Sequence, residues 1–484
     1  MSGGFRSRSA GRRKPAAVSK KTAKVAQKRT NQQTPKVDIG DPAREAAWST
    51  LMRVDIDGAF ANLVLPGILR EHKVRGKDAA FATELTYGAL RSLGVIDAVL
   101  QECSSRAIAD LDAEVRAALR LGAYQLLYTR VGQHAAVDTS VRLVIGAGKQ
   151  GAKGFVNAVL RTMSRQPSKH WIDTCKPNEP LERIAFEHAH PAWIARSFAT
   201  ALGVEADDPE LAEALEADSE RPIVHLVARP GEISAEELAL ITGGDIGKYS
   251  PYAVYLPEGN PGELQPVRDG FAAVQDEGSQ LIARALVQAT VADDQGRWLD
   301  LCAGPGGKAA FIGSLAAIDG ARVDAVEVAP HRAELVQKAT KGLPVSVRTG
   351  DATTIELESG YDRVLVDAPC SGLGSLRRRP EARWTKHESD IASLTQLQLK
   401  LLNTAITTTK PGGVIVYSTC SPDIRETRGI VDAVLATGKV EECDAQQLVA
   451  PMENVGPHRS VQMWPHRHGT DAMFFAVLRK KTLG

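Results

Sequence analysis

The sequence predicts a multidomain α/β protein: an all-α helical bundle first, then a small α/β unit, then a larger α/β domain built on a parallel sheet. Three observations predict it. Apolar residues recur at helical spacing over 41–166, a short strand–helix unit falls within 221–268, and from about Asp269 short β runs alternate with helical segments. The 484 residues suffice for about three domains at roughly 150 residues each.

In the first domain, Asp41-Pro42 reads as an N-cap followed by proline at the first helical position. Ala47, Trp48, Leu51 and Met52 make an apolar stripe. Val115, Ala118, Leu119, Gly122 and Leu126 repeat the pattern, as do Phe155, Val156, Val159, Leu160 and Met163. Such stripes mean core packing in a bundle and nothing more. Residues 167–220 are polar and mostly helical, a connector. Residues 223–227 read as a strand, and 234–241 as a short helix whose Ser234 and Glu237 form a capping box. In the last domain, β runs are expected at 297–302, 323–328, 345–347, 363–367 and 414–418. Helices are expected from Lys308 and over 389–409.

Hydrophobic residues make up 43% and charged residues 24%, ordinary for a globular chain. No apolar run approaches the roughly 18 residues of a membrane helix, and no secretory segment follows Met1. Six cysteines without CxxC spacing argue against a disulfide framework or a structural zinc, so a cytoplasmic protein without metal is expected. The net charge of +1 hides an asymmetry: residues 1–36 hold 11 Lys/Arg and no acid, leaving 48 basic and 58 acidic residues in the rest. Residues 1–40 are expected to be a disordered basic arm, suited equally to neutralising nucleic-acid phosphates or to solubilising the chain. A transit peptide would need an amphipathic helix that is not visible here.

Five motifs carry chemistry. The run Asp300-Leu-Cys302-Ala303-Gly304-Pro305-Gly306-Gly307-Lys308 is a glycine-rich strand-to-helix turn, where backbone can approach a ligand. It lacks the Ser/Thr of a phosphate-binding P-loop, and alone it is compatible with a mere tight turn. Glu327 ends the next β run, where an acid suits ribose hydroxyls; alone it reads better as a solvated strand end. Asp351, in Gly350-Asp-Ala352, is placed to accept from an adenine amino group, but alone is an ordinary turn residue. Asp367-Ala-Pro369-Cys370-Ser371-Gly372 and Tyr417-Ser418-Thr419-Cys420-Ser421 close two further β runs. Cysteines 302, 370 and 420 thus sit at the carboxyl ends of parallel strands, the edge where open α/β sheets bind ligands. A single cysteine is usually a small buried apolar residue; two in Gly/Ser/Pro turns after consecutive strands are less easily so explained. Cys103, Cys175 and Cys443 have no such context. The cluster Arg377, Arg378, Arg379, Arg383, Trp384 and Lys386 suits phosphate contacts and base stacking better than a solvated surface loop.

Together these motifs resemble the NOP/Sun family of RNA cytosine-5 methyltransferases over about 270–480, including the entry segment 271–279. Residues 41–166 look like a NusB-like domain, especially His134-Ala-Ala-Val137 and the run from Gly154 to Arg161. That pairing is similar to the RsmB-type arrangement, which acts on small-subunit ribosomal RNA. Beside the basic arm over 1–40 and the connector and small subdomain over 167–268, the resemblance implies a NusB-like RNA-binding domain over 41–166 and an S-adenosylmethionine-dependent, Rossmann-like methyltransferase domain over 269–484. It implies that Cys302 through Lys308 hold the methionine part of S-adenosylmethionine, Glu327 the ribose and Asp351 the adenine. Asp367 then lies between cofactor and cytosine, Cys420 is the nucleophile and Cys370 assists product release. RNA, ribosomal or within a small-subunit assembly intermediate, is the expected partner of a monomer.

The chain departs from the family pattern in several places. Glu327 stands where Asp is commoner. Gly304 stands where Ala is common, a difference that reads as benign. Asp471-Ala-Met-Phe-Phe replaces Asp-Gly-Phe-Phe, and Val227-Ala-Arg229-Pro replaces Arg-Val-Asn. Competing readings are a non-catalytic RNA-binding or antitermination protein, which would not need both cysteines, and a DNA cytosine methyltransferase, whose nucleophile would be Cys370. An amino-group methyltransferase would need an Asp/Asn-Pro-Pro-aromatic motif, absent here.

Overall fold

The computed structural model describes residues 38–482; the basic arm lies outside them but for its last three positions. Asp41 caps the first helix through its side chain, which accepts from the Arg44 amide, and Pro42 follows at the first turn. Helices α1 (Pro42–Asp57), α2 (Ala61–Glu71), α3 (Gly76–Arg91), α4 (Leu93–Glu102), α5 (Ala113–Tyr128), α6 (Gln133–Gly146) and α7 (Lys153–Met163) pack as a bundle. The apolar stripes of α1, α5 and α7 meet in its core, where Trp48, Leu119 and Leu160 are buried.

Helices α8 (Ser168–Cys175), α9 (Pro180–Glu187), α10 (Ala192–Leu202) and α11 (Pro209–Ser219) follow. They are more than a linker. Phe198 of α10 and Leu211 and Leu215 of α11 share a core with Leu373, Leu376 and Trp464 from the far end of the chain. Phe198 meets Trp464 edge-on, 5.6 Å between ring centres.

The small unit is a four-stranded antiparallel sheet, ordered β2 (Asp245–Ile246), β3 (Ala253–Leu256), β1 (Val224–Ala228), β4 (Ala272–Val274). Two helices accompany it, α12 (Ala235–Thr242) and α13 (Gln265–Asp269), and the Ser234–Glu237 capping box opens α12 as its sequence predicts. Helix α14 (Glu277–Gln288) then leads into the main sheet, made of β5 (Arg297–Asp300), β6 (Arg322–Glu327), β7 (Val345–Thr349), β8 (Tyr361–Asp367), β9 (Thr409–Thr419), β10 (Val440–Cys443), β11 (Val461–Gln462) and β12 (Phe474–Lys480). Its order is β7-β6-β5-β8-β9-β12-β10, with β11 beside β12. The five strands from β5 to β9 are mutually parallel, and β12 runs antiparallel to β9. Helices α15 (Gly307–Asp319), α16 (Pro330–Ala339), α17 (Ala382–Thr385), α18 (Asp390–Thr408), α19 (Arg428–Leu435) and α20 (Pro465–His468) complete the chain. Chain order reverses on either side of β5, so the crevice between the carboxyl ends of β5 and β8 is the topological switch point. Among the described residues no helix is long and apolar enough to cross a membrane.

One buried ionic cluster joins the connector helices to the last domain. The Arg383 guanidinium, with no solvent exposure, donates to the carbonyls of Ala189 and Asp218, to the Ser219 hydroxyl and to the Asp218 carboxylate at 3.3 Å. His190 shares that carboxylate at 3.0 Å. Burial lowers Arg383 to about 10 and His190 to about 4, so the arginine carries the positive charge and the imidazole stays neutral at pH 7. Removing one partner of such a pair strands the other charge in the interior, at a cost of about 3–5 kcal/mol. Arg383→Leu is expected to lower the stability of the full chain by that amount, read as a shift of the first urea unfolding transition. A midpoint within experimental error of the parent's would contradict the role of the cluster.

Candidate functional site

The site grows from the register of two strands. Asp367 at the end of β8 pairs with Ser418 of β9, so the turns that follow, Ala368-Pro369-Cys370 and Thr419-Cys420, leave the sheet side by side. The Cys370 and Cys420 sulfurs come within 3.4 Å. Ser371 holds the first turn in place: its amide and hydroxyl both donate to the buried Glu426 carboxylate, and Gln398 of α18 bridges that carboxylate to the Pro369 carbonyl. Neither Glu426 nor Gln398 stands in a motif, and no local signal marks them.

Lys308, on the first turn of α15, reaches across the switch point to donate to Asp367 Oδ2 at 2.9 Å, and the Ser418 hydroxyl donates to Oδ1 at 2.9 Å. Burial disfavours the Lys308 charge, but the Asp367 carboxylate more than restores it and the net direction is upward. The two close thiols split. The hydrogen bond from Cys370 pulls Cys420 below the ordinary thiol value, with the Lys308 charge helping against burial and Asp367. That same hydrogen bond, with burial, pushes Cys370 well up. Cys302 is pushed well up too, by burial and then by the charges of Asp300, Asp367 and Glu327. Of the three strand-end cysteines, Cys420 is therefore the one that ionises first.

The glycine-rich turn is shaped by its neighbours. Gly306 has φ +112°, and a Cβ there would lie 3.0 Å from the Val336 Cα of α16, so only glycine fits the turn into α15. The Gly304 amide donates to Glu327 Oε2 at 3.0 Å, the Ala329 amide donates to Oε1, and Arg332 pairs with the same carboxylate while donating to the Gly304 carbonyl. A Cβ on Gly304 would fall 2.2 Å from Glu327 Oε2. The glycine at 304 is thus tolerated, as its sequence reading expects, but it is linked to Glu327. The extra methylene of Glu327 carries its carboxylate into the space an alanine would need, and the two departures from the family pattern accommodate each other.

A cleft of about 420 Å³ runs along this edge, bordered by Cys302, Gly304, Glu327, Asp351, Asp367, Cys370 and Cys420. Ala303, Pro305, Gly306, Gly307 and Lys308 do not border it; Ala303 packs inward against Ala309 and Val336, and Lys308 is held on Asp367. Asp351 accepts from the Thr353 amide and hydroxyl on one carboxylate oxygen. The cleft suits a nucleoside cofactor: its wall offers a backbone turn with no side chain at 304, an acid after β6 and another after β7.

The basic cluster divides. Arg377 and Arg378 turn inward to a buried pair of acids, Asp471 and Asp276; Arg377 Nε lies 2.7 Å from Asp471, and Arg378 reaches both acids within 2.9 Å. With Arg383 already committed to Asp218, the charges of these three are spent on internal carboxylates, which disfavours the RNA contacts expected of them. Trp384 is likewise occupied: its indole N–H donates to the Leu90 carbonyl of the helical domain. Arg379 and Lys386 alone of the predicted set border the cleft.

Residues 287–479 match the family described as 16S rRNA methyltransferase RsmB/F, and residues 41–165 match the NusB family. A Mycobacterium tuberculosis protein named as a methyltransferase is 53% identical, covering 91% of this chain and 97% of that one. The ribosomal RNA small subunit methyltransferase B of Cronobacter sakazakii is 32% identical over 90% of this chain and 98% of its own. This chain belongs to the RsmB/F family. It is an S-adenosylmethionine-dependent RNA methyltransferase with an all-α NusB-like domain before a Rossmann-like one. The crystal structure of PH0851 shares the fold over 92% of this chain and all of its own, at a TM-score of 0.78 and 22% identity. NSun6 from Pyrococcus horikoshii with SFG covers 60% of this chain and 99% of its own, at 0.52 and 19%.

Lys308→Met removes the positive charge that helps to lower Cys420 and is expected to raise that thiol. Alkylation of Cys420 by iodoacetamide at pH 7.5, followed by peptide mass spectrometry, should slow by about tenfold, with its pH midpoint moving upward. An unchanged pH profile would exclude Lys308 as a source of thiolate stabilisation.

Proposed function

We propose that this enzyme methylates carbon 5 of a cytosine in 16S ribosomal RNA, with Cys420 as nucleophile and Cys370 assisting release. The observation that carries the reading is the 3.4 Å approach of two unequal thiols beside the Lys308–Asp367 pair. Carbon 5 of cytosine is a poor nucleophile. Addition of the Cys420 thiolate to C6 makes it a good one, and charge then gathers at N3, within the reach of Asp367 and its ammonium partner. S-adenosylmethionine, when bound, supplies the methyl group. Its methionine part would lie against Cys302 and Gly304, beside the Asp367 carboxylate that Lys308 holds, its ribose against Glu327 and its adenine near Asp351. SFG, carried by the fold neighbour NSun6, is an analogue of that cofactor. A base takes the C5 proton, the C5–C6 double bond re-forms as the C6–S bond breaks, and Cys420 leaves as the thiolate, a release that Cys370 assists as a thiol. The base must be unstacked to enter, which favours an RNA loop or an opened helix. Residues 41–166 are read as the RNA-binding domain, 167–268 as connector and subdomain, and 269–484 as the catalytic domain. A DNA-type assignment would make Cys370 the nucleophile, yet that thiol is the one held protonated.

Cys420→Ala is expected to abolish methyl transfer. Cys370→Ala should trap an RNA adduct through Cys420, seen as a slower band on a denaturing gel; an adduct formed through Cys370 in Cys420→Ala would reverse the two roles. Bisulfite sequencing of total RNA with and without the gene should lose one 5-methylcytosine from 16S ribosomal RNA, and an unchanged map there would overturn the target.

A further inference from the structure

Phe60 stands at the N-cap of α2, a position where Ser, Thr, Asp or Asn would ordinarily satisfy a helix amide. Here the task is done from the other domain: Glu381 Oε1 accepts from the Ala61 amide at 3.0 Å. The phenyl ring is released from any capping role and is 41% exposed. It borders the same cleft as Asp367, Cys370 and Cys420, and it is the helical domain's only side chain there among the described residues. The Arg379 guanidinium lies over the ring, 5.2 Å from its centre. Of the four arginines in this loop, Arg379 is the one whose guanidinium forms no ion pair or hydrogen bond among the described residues; Lys386 lies on the same rim.

A half-exposed aromatic ring, a guanidinium stacked on one side of it without an ion pair, and an ammonium at the mouth of a catalytic cleft match one ligand: a single-stranded nucleotide, its base stacked on this ring–guanidinium pair and its phosphate beside the cations. We propose that Phe60 and Arg379 form a stacking platform for an unstacked nucleobase of the RNA, so that the helical domain supplies part of the substrate site itself. This rests on the function proposed above. A purely structural role for Phe60 would be served by any apolar side chain of similar size, whereas stacking needs a π face.

The test uses the full-length enzyme with unmodified, transcribed 16S ribosomal RNA, comparing Phe60→Leu, Phe60→Trp and Arg379→Gln with the parent. RNA affinity is measured by filter binding, and methyl transfer by incorporation of labelled methyl. Phe60→Leu should raise both the RNA Kd and its KM by about tenfold, the scale of one lost base–aromatic stack. Its kcat, its affinity for S-adenosylhomocysteine and its thermal unfolding should stay near the parent's. Phe60→Trp should restore KM, and Arg379→Gln should weaken RNA binding with a shallower salt dependence. Parent-like RNA affinity and KM in Phe60→Leu overturns the platform, as does equal loss in the Leu and Trp variants. Parent enzyme that binds RNA but transfers no methyl group overturns the proposed function and leaves the Phe60 comparison to be read from binding alone.

Discussion

The parallel pairing of β8 with β9 is the constraint on which the site depends. Side chains on a strand alternate faces, so a slip of one residue would turn Asp367 or Ser418 to the opposite side of the sheet and separate the turns beyond them. Such a slip is resisted by burial: Val364, Leu365 and Val366 of β8 and Ile415, Val416 and Tyr417 of β9 are all inaccessible to solvent. A strand buried on both faces cannot be shifted without moving its whole apolar set. The close approach of two thiols is thus maintained by hydrophobic packing several residues away, with Glu426 and Gln398 fixing the turn locally.

A second constraint is electrostatic. Asp276 and Asp471 are nearly buried acids, and Arg377 and Arg378 compensate both. Asp276 starts the helix that enters the last domain, and Asp471 precedes its final strand, so the arginine loop ties the domain's two ends together. The same loop then delivers Glu381 and Trp384 to the helical domain and Arg379 to the cleft. Cations that look like nucleic-acid contacts in a linear reading serve here as internal fastenings, because burying a carboxylate without a partner costs far more than leaving an arginine in water.

Much of this architecture was legible in the sequence where its causes are local. The β runs, the capping box at Ser234 and the glycine-rich turn are written within a few residues of where they act. The two cysteine turns were legible for the same reason, each following an apolar β run. What escaped depends on partners far along the chain. Whether an arginine faces solvent or Asp471 is decided 94 residues away, and nothing near Arg377 announces it. The conflict between a Cβ at 304 and Glu327 arises between residues 23 positions apart, across the turn between two strands. Phe60 escaped because its one signal, an aromatic where a capping residue belongs, is faint without the Glu381 carboxylate beside it.

The docking of the two domains also has a bearing on how the protein is made. The Ala61 amide waits for an acceptor 320 residues downstream, and the Leu90 carbonyl for a donor 294 residues downstream. Domains fold in the order in which they leave the ribosome. The helical bundle is therefore complete, with that face still bare, while most of the catalytic domain has yet to be synthesised. The indole that fastens it arrives with Trp384, and the strand that pairs with β9, which starts at Phe474, follows about 90 residues later still.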